Sequence, residues 1–367
     1  MKMSTESKLL GQIRTAGLHP PENMTIMVTD GCNLMCRHCW LDCRGFKNAV
    51  PVDADAILGV VNAFAGLGGT AVNLTGGEIL THPDWFRILK YCMIHASIKR
   101  VCLQTNATLI TRRDVEAWLA LASDKLTLQV SLDGACAQTH DHVRGNGSYD
   151  RAWAGLRLLT QAGLGPLTQV AFTEMAHNFD ELPQLLEMVD RMGLARLVCG
   201  TIIAGGRAAA STYVSLPTPD QYRRLLQRYQ NDALFRKRYA QKGSIAAIEW
   251  FRNRAGSSPE DCGCLKDLFV NAKGHLYPCT MLLIERYASQ SVYSHPFNRV
   301  IQNALPKWRE IPLLHRKRHD TIASCRACTG RRHCRGGCLG RAAVLDGDLM
   351  APEDRCALRQ VVYDWDL

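Results

Sequence analysis

Cysteines carry the first chemical signal in this chain. The stretch "GCNLMCRHCWLDC", starting at Gly31, sets Cys32, Cys36, Cys39 and Cys43 within thirteen residues. Zinc, a disulfide, a redox dithiol and an iron–sulfur cluster all draw on close thiols. They differ in ligand count. Three thiolates on a four-iron cubane leave one iron without a protein ligand, whereas structural zinc wants a fourth donor, which Cys43 can supply. The triplet alone leaves cluster and zinc both open. A second group follows downstream: Cys262, Cys264, Cys279, Cys325, Cys328, Cys334, Cys338 and Cys356. In "CLKDLFVNAKGHLYPC", Gly274 fits a hairpin turn between "LFVNA" and "HLYPC". "CRACTGRRHCRGGC" then spaces thiols by gaps of two, five and three residues, a CxxC usage that zinc ribbons share.

The chain as a whole bounds these readings. Its 367 residues suffice for one large domain and a smaller one. At 47% apolar and 21% charged it reads as folded rather than disordered. No apolar run approaches the roughly 20 residues needed to cross a bilayer. The start, "MKMSTESKLLGQIRTAGLHPP", lacks the apolar core and cleavage site of a signal peptide, so a cytoplasmic location is expected. Sixteen cysteines in a reducing compartment point to metal ligands rather than disulfides. The net charge of +10 is scattered, apart from "KWREIPLLHRKRH" at 307–319, and no aromatic-interleaved basic platform accompanies it. That pattern argues against nucleic acid. It suits compensation of anionic thiolates, a solvated face or an acidic peptide partner.

To do chemistry the first cysteines need a frame. Residues 24–210 alternate short β-rich runs with helical patterns: strands at 24–30, 71–77, 100–106, 126–134, 168–175 and 196–202, and helices near 53–66, 83–96, 111–122, 149–163 and 179–193. Six strand–helix repeats predict an α/β fold, a partial (β/α)6 barrel of parallel strands with right-handed crossovers. Chemistry in such barrels gathers on loops after strand C-termini. The cysteine triplet, "TGGE", "QTN" and "SLDG" all fall there. Residues 1–23 read as an N-terminal extension, 211–258 as a helical connector, and 259–367 as a small cysteine-rich α+β domain.

A CxxxCxxC at one strand end, with "NLTGGE" closing the next strand some forty residues on, resembles the radical S-adenosylmethionine (SAM) superfamily over 24–210. The resemblance implies that Cys32, Cys36 and Cys39 hold a [4Fe–4S] cluster whose open iron is chelated by SAM. One electron then cleaves SAM to a 5′-deoxyadenosyl radical, which abstracts hydrogen from a substrate. It further implies that His38 packs near the adenine, that Thr75, Gly76, Gly77 and Glu78 meet the SAM amino group, and that Ser131 lies near the ribose and carboxylate. Arg144 or Arg151 would pair with that carboxylate. Ile79 stands where the family often has proline, and Cys43 stays unassigned.

The downstream cysteines look like the SPASM extension, which binds auxiliary iron–sulfur clusters. The resemblance gives Cys325, Cys328, Cys334 and Cys356 one cluster, and Cys279, Cys338 and the Cys262/Cys264 pair another. The one-residue gap in "DCGC" departs from the family, which places its upstream ligand earlier. SPASM enzymes mostly modify peptides or proteins, by crosslink, thioether or epimerisation. A reductant of flavodoxin or ferredoxin type is implied. Few residues precede the first strand, so a separate leader-binding partner, a recessed surface or a small-molecule substrate is expected. The tail "CRGGCLGRAAVLDGDLMAPEDRC" also resembles tetrapyrrole side-chain enzymes, the alternative reading. The sulfatase-maturing type carries aspartate directly after the cysteine matching Cys279, where this chain has Thr280. Cys199, near the sixth strand's end, is a candidate hydrogen donor or a structural thiol.

Overall fold

A computed structural model describes residues 5–254 and 262–365; the boundary expected at 258/259 lies outside the described residues. Helix α1 (Thr5–Thr15) leads into β1 (Asn23–Met27). The cysteine loop follows, with its own short parallel pair, β2 (Gly31–Cys32) and β3 (Arg44–Gly45). The other expected strands are β4 (Ala71–Thr75), β5 (Arg100–Thr105), β6 (Leu126–Ser131), β7 (Thr168–Glu174) and β8 (Arg196–Thr201). With β1 they pair in chain order and all in parallel.

The connecting helices are α2 (Ala54–Gly66), α3 (Trp85–Ile94), α4 (Arg112–Leu119), α5 (Ala137–Arg144), α6 (Ser148–Gln161) and α7 (Leu182–Arg191). Local chemistry starts them: Asp53 accepts from the Ala56 amide at 3.0 Å, and Thr111 with Asp114 forms a capping box. Helix α5 has no apolar run long enough to predict it.

Strand alternation sorts the two faces. In β6 the side chains of Leu126, Leu128 and Val130 are buried among the helices, while Thr127, Gln129 and Ser131 take the other face. Gln129 and Ser131 join Gln104 and Thr173 in lining a cavity inside the curved sheet. The polar inner face is thus what the strand period delivers to the site.

The sheet is larger than six strands. Beside β8 lies β9 (Gly243–Ser244), and β10 (Asp267–Val270) pairs in parallel with β1, Met24 facing Leu268. The hairpin expected around Gly274 forms, with β11 (Leu276–Tyr277) antiparallel to β10 and Gly274 at φ +83°. It does not stand apart. Buried Leu268, Phe269 and Val270 cover the β1 edge, which would otherwise expose unpaired amides.

Residues 206–253 supply α8 (Gly206–Ala210), α9 (Pro219–Asn231), α10 (Ala233–Lys242) and α11 (Ala246–Asn253). The rest of the chain adds α12 (Phe297–Trp308), α13 (Glu310–Thr321), α14 (Ala323–Arg326), α15 (Arg331–Cys334), α16 (Leu339–Asp346) and α17 (Cys356–Tyr363). Helix α17 packs on α9 and α11, and α12 on α1 and α2. Buried Arg341 in α16 forks onto Asp354 at 2.6 and 2.7 Å and donates to the Ile202 carbonyl at 2.6 Å. It anchors the cysteine-rich segment to the end of β8.

Glu353 is also buried in this segment. It accepts from the Cys338 amide at 2.8 Å and pairs with Arg355 and Arg359. Burial opposes its charge, but the two arginines win and bring its carboxyl down to about 2 from 4.5. A folded value below the unfolded one means stability that is complete above 4.5 and lost as pH falls toward 2. Glu353→Gln should therefore cost about 3 kcal/mol at pH 7, at 1.36 kcal/mol per pH unit. Urea unfolding of chelator-treated protein should show that difference shrinking below pH 4.5.

Candidate functional site

The cysteine loop is strapped on every side. The Gly77 amide donates to the Thr29 carbonyl and the Glu78 amide to the Gly31 carbonyl, both at 2.8 Å. Arg207, just inside α8, donates to the Cys36 carbonyl at 3.0 Å, the Cys43 carbonyl at 2.7 Å and Asp42 at 3.0 Å. Cys32, Cys36 and Cys39 consequently face one cavity of about 320 Å3, which Cys43 also lines. Thr75, Gly76, Gly77, Glu78, Ser131, Arg144 and His38 line it too.

Charge is arranged around the thiols. Burial pushes Cys32 up to about 12, against the Leu34 amide that donates to its sulfur. Burial raises Cys36 as well, opposed by Arg144 and Arg207. Cys39 is brought down to about 5, chiefly by a hydrogen bond from Cys43, whose own value is raised. Buried thiols that hold their protons this tightly give them up to a bound cationic metal.

Glu78 is buried and its carboxylate is fully held. Thr105 Oγ1 donates at 2.7 Å, the Asn106 amide at 2.6 Å and the Leu80 amide at 3.2 Å. Burial still raises its pKa. Behind the lining residues His38 and Arg144, Asp133, the acid of "SLDG", is completely buried. It takes Arg144 Nε at 2.6 Å, His38 Nε2 at 3.1 Å and the Thr173 amide at 2.7 Å. Burial works against the Asp133 charge, yet Arg144 and His38 hold its carboxyl well below the ordinary range. One carboxylate therefore fixes a cation on the cavity wall and the imidazole between two of the cysteines. His38 Nδ1 is buried without a hydrogen-bond partner.

The downstream thiols fall into two neighbourhoods. Cys262, Cys264, Cys279 and Cys338 line a second cavity of about 440 Å3 with Asp267, His315 and His333. Burial raises Cys264 and lifts Cys279 to about 12, and each feels its thiol neighbours. Cys325, Cys328, Cys334 and Cys356 act on one another electrostatically in the same way. Among the described residues no three His, Cys, Asp or Glu side chains converge closely enough for a lone ion such as zinc.

Two sequence candidates are placed elsewhere. Arg151 is exposed on α6, and of the two arginines only Arg144 lines the cavity. Cys199 packs against the main hydrophobic core beyond the sheet instead of lining the cavity, because strand alternation gives the inner face to Gly200. Asp133, Thr105, Asn106 and Arg207 were missed as site residues, and Cys43, left unassigned in the sequence, lines the cavity. For the first three the signal was present, at strand ends in "SLDG" and "QTN"; Arg207 carries none.

A barrel with three thiols at one strand end, a buried acid on the next and a buried cation lining the same cavity defines an iron–sulfur enzyme of the SAM-cleaving kind. The model of the Radical SAM superfamily matches residues 26–192. The AdoMet-dependent heme synthase of Methanosarcina barkeri is 30% identical over 349 residues, spanning 90% of this chain and 95% of that one. The mycofactocin maturase MftC of Mycobacterium ulcerans is 28% identical over 351 residues, spanning 93% and 89%. Streptococcus suis SuiB bound to its precursor peptide SuiA shares the fold, with a TM-score of 0.74 at 17% identity, covering 95% of this chain and 78% of that one. The chain belongs to the radical SAM superfamily, with a SPASM-type cysteine-rich part. Its cofactors are SAM, a [4Fe–4S] cluster and auxiliary iron–sulfur clusters. The donor set fits them: three thiols with two neighbouring arginines at one cavity, and two further groups of four thiols.

Proposed function

We propose that this enzyme matures a ribosomally made peptide or protein, by crosslink, thioether or epimerisation. The observation that carries the chemistry is the single cavity on which Cys32, Cys36, Cys39, Glu78 and Arg144 converge. Cluster and SAM together supply a 5′-deoxyadenosyl radical; the chain binds, orients and shields. In this reading Cys32, Cys36 and Cys39 hold the cluster. Glu78 and the Gly76–Gly77 backbone receive the SAM ammonium, Arg144 its carboxylate, Ser131 the ribose edge and His38 the adenine. Asp133 positions His38 and Arg144 without touching ligand. Cys262, Cys264, Cys279 and Cys338 hold one auxiliary cluster, and Cys325, Cys328, Cys334 and Cys356 the other. Residues 24–210 form the SAM-cleaving unit and 259–367 the auxiliary-cluster unit, joined through 211–258.

Support for a peptide comes from the maturase likeness across 93% of the chain and from a fold shared with SuiB in its peptide complex. The 30% identity to a heme synthase favours a second reading, in which the substrate is a tetrapyrrole side chain. Among the described residues no helix is long and apolar enough to cross a membrane. A cytoplasmic location, a flavodoxin- or ferredoxin-type reductant and a separate leader-binding partner complete the proposal. Anaerobic incubation with SAM and dithionite tests it, offering short precursor peptides encoded beside the gene and a propionate-bearing porphyrin in parallel. A mass change in a peptide alone supports maturation, and decarboxylation of the porphyrin alone supports the second reading.

A further inference from the structure

The contacts assigned to SAM occupy only part of the cavity that the three cysteines face. They come from the cysteine loop, the ends of β4 and β6, and α5. Ala171, Thr173, Gly200, Ile202 and Ile203 line the same cavity from β7, β8 and the segment after it. Strand alternation puts Ala171, Thr173 and Gly200 on the inner face, and Gly200 pairs in register with Thr173. The chain after β8 then returns to the cysteine loop, where the Arg207 amide donates to the Cys39 carbonyl at 3.0 Å. Trp40 and Leu41, next in that loop, line the cavity as well.

Space and charge both describe what this end accepts. A Cβ built on Gly200 meets no atom within 4 Å, and Gly200 is not among the glycines held at positive φ. Its backbone does not demand glycine, so what the residue provides is room in front of the sheet. Thr201 turns its hydroxyl away and donates to buried Glu174 at 3.0 Å. Apart from the cysteines, the described ionisable residues lining the cavity are His38, Glu78, Arg144 and Arg207. His38 and Arg144 are paired with Asp133, and Glu78 accepts three hydrogen bonds. Arg207 is taken by Asp42 and two loop carbonyls. Once Arg144 also receives the SAM carboxylate, none of these lining cations is left unengaged to neutralise a second anion. A carboxylate placed there would be buried without a partner, which is costly. An aliphatic group gains by leaving water.

We propose that the space before Gly200, walled by Ala171, Thr173, Ile203 and Trp40, receives the uncharged aliphatic side chain of a peptide residue, and that hydrogen is taken from a carbon of that residue. The inference deepens the peptide reading above and rests on its placement of SAM. It puts an anionic propionate at a disadvantage in the same space. In the step a C–H bond of the residue breaks homolytically. The hydrogen atom joins the 5′ carbon of the deoxyadenosyl radical to give 5′-deoxyadenosine, and the unpaired electron stays on the residue's carbon.

Anaerobic holoenzyme with SAM and dithionite is offered N-acetyl-leucinamide deuterated at every carbon of the leucine residue, or the α-amide of N-acetyl-aspartate deuterated in the same way. Mass spectrometry reads deuterium per 5′-deoxyadenosine, a ratio independent of how much SAM is cleaved. Leucine should transfer at least about tenfold more deuterium than aspartate, the scale on which an apolar pocket discriminates. Gly200→Leu fills the space and should lower the leucine ratio about tenfold or more, with Gly200→Ala lowering it less. Equal transfer from both probes, or none from either while 5′-deoxyadenosine still forms, would overturn the apolar pocket alone. An unaltered ratio in Gly200→Leu would overturn its place before Gly200. Iron-loaded wild type that forms no 5′-deoxyadenosine would instead remove the SAM reading on which the pocket stands.

Discussion

Replacing Gly77 by alanine should strip the first cluster from the protein while leaving the fold standing. A Cβ there would lie 2.2 Å from the Gly31 carbonyl oxygen and 2.8 Å from the Cys32 Cβ. Both neighbours belong to the cysteine loop, so that loop must retreat. The same backbone also gives the Glu78 amide bond to Gly31, and a shift there moves the acid with it. Iron should fall by about four per chain, the content of one cubane. SAM cleavage should fall about 100-fold or more, the scale expected when reacting groups are misplaced by an ångström. Gly59→Ala is the control, since nothing lies within 4 Å of its added methyl. Iron analysis and 5′-deoxyadenosine yield check both, and a Gly77→Ala protein with full iron and full cleavage contradicts the strapping described for the loop.

The second large effect is expected at Asp133. Asp133→Ala leaves the buried Arg144 guanidinium without its partner and removes an acceptor from His38 and the Thr173 amide. Breaking one side of a buried pair costs roughly 3–5 kcal/mol. Urea unfolding at neutral pH should show a loss on that scale. Asp133→Asn, which keeps shape and one acceptor, should recover part of it. Activity separates positioning from mere stability: where the variant is still folded, the KM for SAM should rise in both, more in alanine, because Arg144 faces the cavity. A stability loss with an unchanged KM would confine Asp133 to the core.

Legibility in the sequence followed the strength of each local signal. The six strands and their helices were readable because alternation and amphipathic spacing persist for five residues or more. Where the period was short it failed: β9 has two residues, and the polar stretch of α5 has no apolar stripe. The hairpin at Gly274 was visible from its turn, but its pairing with β1 was not, since parallel register is set by chain segments some 240 residues apart. At the site, cysteine spacing carried its own information. Asp133 stood unassigned in the strand-end stretch "SLDG", and only burial shows it to be the hub of two charge contacts. Arg207 reaches the loop across more than 160 residues, so no local pattern encodes it. Arg151 was a plausible cation by proximity in sequence, and helix geometry sends it outward.

The central claim is that Cys32, Cys36 and Cys39 leave one iron open for SAM. Anaerobic, dithionite-reduced protein should change its electron paramagnetic resonance signal on addition of SAM and accumulate 5′-deoxyadenosine. Cys36→Ser should abolish both responses and keep the iron of the two auxiliary sites. Wild-type protein with a full iron complement that leaves SAM intact, and whose resonance ignores it, would contradict the account.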